Sequence, residues 1–99
     1  MRQRNVKNLQ ERLGALAAYR VQEPECMKGK WNALFGNDNP IFVEIGCGKG
    51  QFINAQAAEH PAVNFIGIEG QENVILRALE KSGQAQTKNV LYIGKFVND

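Results

Sequence analysis

Ninety-nine residues suffice for one small domain, so any function has to sit within or beside a single hydrophobic core. With 43% hydrophobic and 22% charged residues the chain is close to an average globular protein, which excludes disordered and collagen-like classes. A net charge of +2 is too small to point to nucleic acid by itself.

The charge is unevenly spread. Residues 1 to 30 hold seven basic side chains against three acidic ones, a balance of +4, and leave the rest of the chain at −2. A basic arm beside a mildly acidic body suits a polyanion, because Arg and Lys make phosphate contacts; a solvated terminus has the same composition. Apolar runs such as Ile41 to Val43 and Phe65 to Ile68 are too short to cross a bilayer. Met1 leads into basic and polar residues with no signal-peptide core, so a cytoplasmic chain without a membrane partner is expected. Cys26 and Cys47 lie far apart with no Cys-x-x-Cys or Cys/His spacing; they read as reduced structural thiols, and no metal site is expected.

In chain order, Val6, Leu9, Leu13 and Leu16 fall at steps of three and four, which predicts a short amphipathic helix between Val6 and Tyr19 despite Gly14. Glu23-Pro24-Glu25 breaks it. Trp31 to Phe35 reads as one or two helical turns ended by Gly36, with Trp31, Leu34 and Phe35 expected in the core. Asn37-Asp-Asn-Pro40 is a concentrated turn signal. After it the chain alternates strand and helix, so residues 1–39 read as a basic extension and 40–99 as the domain proper.

Ile41 to Ile45 is a short β-rich run, and Gly46 to Gly50 turns it into a helix that runs to His60-Pro61. Asn64 to Ile68 makes a second strand. Glu72 to Ser82 makes a second helix, with Val74, Ile75, Ala78 and Leu79 on one face and Gly83 as its stop. Val90 to Ile93 makes a third strand. The α/β order βαβαβ is half of a doubly wound, Rossmann-like parallel sheet with a helical extension at its N-terminus.

The chemistry-bearing stretch is Val43-Glu-Ile-Gly-Cys-Gly-Lys-Gly50. Glycines after a strand let the backbone turn tightly, and the next helix aims its free N–H groups at whatever lies against that turn. A dinucleotide fingerprint, G-x-G-x-x-G, would put its third glycine at position 51, where Gln51 stands; the spacing here is G-x-G-x-G over Gly46, Gly48 and Gly50. Glu44 is a carboxylate near the end of an apolar strand, costly there unless it meets a cation or donors; the plain alternative is a Glu on an exposed pleat.

S-adenosylmethionine (SAM) carries an ammonium, a sulfonium and a ribose diol, and can use that acid where a pyrophosphate would be repelled. Glu69 ends the second strand, 23 residues after Gly46, where a doubly wound fold holds the acid that binds ribose hydroxyls. Asn98 and Asp99 are the polar residues available beyond the third strand for an adenine. Lys49 reads as solvated and His60 as a helix-end residue. No Ser/His/Asp or Cys/His set is present, so no catalytic residue is assigned.

These residues resemble the bacterial tRNA (guanine-N7)-methyltransferases along nearly the whole chain. The likeness is carried by Met1-Arg-Gln-Arg4, Lys28-Gly-Lys-Trp-Asn32, Phe35-Gly-Asn-Asp-Asn-Pro40, Val43-Glu-Ile-Gly-Cys-Gly-Lys-Gly-Gln-Phe52 and Phe65-Ile-Gly-Ile-Glu69, in that order. It implies a class I SAM-dependent methyltransferase fold, with Glu44 and Glu69 as SAM-contacting acids. It puts the glycine turn on the methionine side and makes Arg2 and Arg4 candidates for tRNA phosphates.

In one place the chain departs from the family: Gly94-Lys-Phe-Val97 stands where an Asp or Asn usually follows the third strand. Family members are also about twice as long. Their Asp-Pro-Trp-Pro segment and the later strands around the guanine have no counterpart before Asp99. The resemblance therefore implies a cofactor-binding fragment, inactive alone, that self-associates or pairs with a complementing C-terminal half. Two other readings stand beside it: a nucleotide-binding module of the NAD type, which the glycine spacing and Glu44 disfavour, and a non-catalytic RNA-binding protein, which leaves the glycine turn unexplained.

Overall fold

The computed structural model describes residues 7–94. Helix α1 spans Leu9–Ala15 and is followed by single 3-10 turns at Ala17–Tyr19 and Pro24–Cys26. The remaining elements are α2 (Trp31–Phe35), β1 (Ile41–Ile45), α3 (Gln51–Glu59), β2 (Asn64–Ile68), α4 (Glu72–Ala85) and β3 (Val90–Ile93). The strands form one parallel sheet in the order β1-β2-β3. Ile41 faces Asn64 and Ile45 faces Ile68 across the first pair, and Phe65 faces Val90 across the second. All three strands therefore finish at one level, the end of an open α/β sheet where ligands bind.

Alternation of side chains along the strands sends Phe65, Val90 and Tyr92 to one face, where Ile53 and Ala57 of α3 and Ile75, Leu76, Ala78 and Leu79 of α4 cover them. Leu13 of α1 joins that core, with Leu9 and Leu16 packed against it. Val21, Ile66 and Ile93 occupy the opposite face beneath Met27, Trp31 and Phe35 of the N-terminal extension. The extension also closes the outer edge of β3: Arg20 bridges to Tyr92, and the Val21 N–H donates to the Tyr92 carbonyl at 2.8 Å. Among the described residues nothing pairs with the outer edge of β1.

Three local expectations are revised. The first helix is shorter than the Val6 to Tyr19 pattern and gives way to a 3-10 turn at Ala17; Val6 lies outside the described residues. Leu34, expected in the core, is exposed, since a five-residue helix turns only Trp31 and Phe35 onto the sheet. Gly83 does not stop α4, which continues to Ala85 and ends at Gln86 in the left-handed region. A Cβ at position 83 would lie 2.8 Å from Leu16 Cδ2, so this glycine serves the close approach of the N-terminal extension and not the helix end.

Candidate functional site

At the carboxyl end of β1 the chain turns back on β2: the Gly46 and Cys47 N–H groups both donate to the Ile68 carbonyl, at 2.7 and 3.0 Å. Gly46, Gly48 and Gly50 have φ of +73°, +58° and +80°. Gly46 and Gly48 have no atom within 4 Å of a would-be Cβ, so the turn has open space beside it. Gly50 differs, because a Cβ there would stand 2.5 Å from the Ala78 Cβ; its missing side chain lets α3 begin in contact with α4. Gly50 is also the N-cap of α3, whose first-turn N–H groups lack helical partners.

Two carboxylates flank the turn. The two oxygens of Glu69 each accept a backbone N–H, one from Gly48 at 3.1 Å and the other from Gln71 at 3.0 Å, which ties the turn to the start of α4. Glu44 lies on the same sheet face as Tyr92, and among the described residues its buried Oε1 has no hydrogen-bond partner. Burial pushes the Glu44 carboxyl above its ordinary value. The Cys47 thiol is pushed up to about 12, by burial first and then by the charges of Glu44 and Glu69. Cys47 is accordingly a packed thiol and no nucleophile at neutral pH. A buried acceptor without a donor, in a negatively polarised turn, suits a ligand that brings a cationic N–H group.

Glu44, Gly46, Gly48, Gly50 and Glu69 thus come together at one end of the sheet. Arg2, Arg4, Asn98 and Asp99 lie outside the described residues. The Lys49 side chain is exposed, and His60 is the exposed C-cap of α3. Two residues that the sequence pattern did not single out hold the turn: Lys81 Nζ donates to the Lys49 carbonyl at 2.9 Å, and Asn54 Nδ2 to the Gly50 carbonyl at 2.8 Å. Asn54 carried a signal, four residues after a helix-opening glycine; Lys81 is 32 positions from its partner and carried none.

Among curated relatives, a tRNA (guanine-N(7)-)-methyltransferase of Lachnoclostridium phytofermentans is 46% identical over 94% of this chain and 43% of its own length. Its namesake from Geobacillus thermodenitrificans is 42% identical over the whole chain and 46% of its own length. The chain thus spans less than half the length of these relatives. Of solved structures, phosphoethanolamine N-methyltransferase 2 from Haemonchus contortus, in complex with S-adenosyl-L-methionine, matches 90% of this chain and 25% of that one, with 21% identity and a TM-score of 0.49. The family described as "Putative methyltransferase" matches residues 38–95. That match takes in more than half of the chain and the entire glycine turn, and the chain belongs to this methyltransferase family.

Proposed function

We propose that residues 40–99 bind SAM, and that the chain serves methyl transfer to N7 of a guanine in tRNA, with residues 1–39 as a basic extension toward the RNA. The observation that carries the SAM reading is the orphaned Glu44 Oε1 beside an open glycine turn. An ammonium there supplies the missing donor and relieves the cost of burying the charge, which a pyrophosphate does not. The tRNA reading rests on the names of the relatives and on Arg2 and Arg4.

When bound, SAM supplies an electrophilic methyl group. Guanine N7 attacks with an in-plane lone pair and loses no proton, so the chain needs no general base. Its own residues act by orientation: the turn backbone and α3 take the methionine end, Glu44 the ammonium, and Glu69 the ribose hydroxyls. Glu69 keeps acceptor capacity for that role, since each of its oxygens receives a single N–H bond from the described residues.

Calorimetry with SAM and with NAD tests the cofactor reading. SAM binds more tightly if the reading is right, and tighter binding of NAD overturns it. Glu69→Ala weakens SAM binding by about 10- to 100-fold, because hydrogen bonds to a charged group contribute roughly 1.5–3 kcal/mol, whereas Lys49→Ala leaves it nearly unchanged. For the RNA reading, tRNA binding is weak and strongly salt-dependent, and joint Arg2→Ala and Arg4→Ala lowers both the affinity and the salt slope. Unchanged values for that double variant remove the arm from the RNA interface.

A further inference from the structure

Behind the glycine turn lies a closed ring of three side-chain hydrogen bonds. Asn54 Nδ2 of α3 is 3.0 Å from the Tyr92 hydroxyl of β3, that hydroxyl is 2.9 Å from Ser82 Oγ of α4, and Ser82 Oγ is 2.7 Å from Asn54 Oδ1. Tyr92 and Ser82 are completely buried and Asn54 is half-buried.

Counting hydrogens fixes the direction of every bond. The amide of Asn54 has two N–H groups, one given to the Gly50 carbonyl at 2.8 Å and the other to Tyr92. Tyr92, accepting from Asn54, has only Ser82 Oγ among the described residues to receive its own proton. Ser82 then donates to Asn54 Oδ1 and closes the ring. The reverse amide orientation would set Oδ1 against the Gly50 carbonyl, two acceptors facing each other, so the Gly50 bond selects one orientation of the ring. Burial pushes the Tyr92 phenol up to about 12, and its hydroxyl keeps the proton the ring requires.

Among the described residues one side-chain bond leaves the ring, and it goes to the turn. The Gly50 carbonyl takes both this side-chain N–H and the Asn54 backbone N–H at 3.1 Å, while the Gly50 N–H is tied to the Cys47 carbonyl at 3.1 Å. That side-chain bond satisfies the second Asn54 N–H and at the same time couples the ring to the turn backbone. We propose that Asn54, Ser82 and Tyr92 are positioning residues that fix the Gly50 peptide, and through it the turn and the first N–H groups of α3, in the geometry that receives the ligand. This rests on the reading of the turn as a SAM site for its affinity arm, and on the ligand-free chain for its other arm.

Tyr92→Phe deletes the hydroxyl and little volume, leaving one Asn54 N–H and the Ser82 acceptor without partners; Ser82→Ala removes the bonds to Tyr92 and to Asn54 Oδ1. Val90→Ala serves as control, since Val90 is a buried apolar residue of the same strand with no part in the ring. In the full chain, both ring variants raise the SAM dissociation constant by about fivefold, the equivalent of one lost hydrogen bond. They also shift the amide resonances of Gly46, Gly48 and Gly50 in the absence of ligand. Val90→Ala lowers the unfolding midpoint but leaves both readouts at wild-type values.

The proposal is overturned if Tyr92→Phe leaves the glycine amides and the SAM affinity unchanged, or if Val90→Ala moves them as far. A wild-type chain that binds no SAM, while its glycine amides still respond to Tyr92→Phe, refutes the ligand and leaves the positioning role standing. Should Ser82→Ala fail to fold, Tyr92→Phe decides alone.

Discussion

The two flanks of the sheet are built from similar residues and finished very differently. On the β3 side, Ile75, Leu76, Ala78, Leu79 and Tyr92 are wholly buried, and the edge of β3 is closed by Arg20 and Val21. On the β1 side, Phe42 is 57% exposed, Val43 47%, Ile45 66% and the neighbouring Phe52 58%. A strand as apolar as Ile41-Phe-Val-Glu-Ile45 has the composition of a sheet interior and stands here as an edge. The carboxylates divide in the same way: Glu69, at the end of the central strand, has both oxygens bonded, while Glu44 on the edge strand has a buried oxygen with no partner among the described residues. Cohesion thus comes from one flank, and the unsatisfied surface and unsatisfied charge lie on the other.

The largest expected effect follows directly. Leu79→Ala or Ile75→Ala removes a side chain with no exposed surface and costs about 2–5 kcal/mol, a large share of the roughly 5–15 kcal/mol that stabilises a domain. Ile45→Ala, on the open flank, changes stability by no more than about 0.5 kcal/mol. Urea unfolding of the two classes of variant measures the contrast, and equal losses on both flanks would break the comparison.

The strands were legible in the sequence to the residue, because each is a short β-rich run bounded by turn formers, a purely local signal. The turn and its two acids were legible for the same reason. What escaped was set by packing between distant segments. Gly83 looks like a helix stop but is a contact point for Leu16, and Lys81 meets the Lys49 carbonyl only because α4 lies across the start of α3. The open edge of β1 was expected from the resemblance, which places a further strand beside Ile41 to Ile45; composition alone did not show it, since apolar residues state what a strand prefers to touch and not what is beside it.

The open flank makes an intermediate effect accessible. An unpaired strand edge with adjoining exposed phenylalanines is a template for another strand, so the chain should associate with itself as concentration rises. Ile45→Lys places a charge on that edge and should lower the association measured by sedimentation velocity. Lys substitution at Arg77, an exposed position on the other side, should leave it unaltered. Association that persists unchanged in Ile45→Lys would move the contact surface away from β1.

The smallest effect sharpens the contrast between the two acids. Because burial raises the Glu44 carboxyl above 4.5, the folded chain binds more protons than the unfolded chain between 4.5 and the folded value. Stability therefore falls as pH rises through that window, and above it the ionised, unpartnered carboxylate imposes its full cost. Glu44→Gln keeps the size and polarity of the side chain without the ionisation, so at pH 7 the ligand-free variant should unfold at a slightly higher temperature and lose this part of the pH dependence. Its effect on ligand should have the opposite sign: a neutral amide cannot pair with the SAM ammonium, and saturating SAM should raise the midpoint of the wild-type chain by more than that of the variant. Thermal unfolding at several pH values, with and without SAM, reads both signs in one series. A Glu44→Gln chain that is less stable without ligand would show the carboxylate already partnered in the free protein, and the division between the two flanks would then lose its electrostatic half.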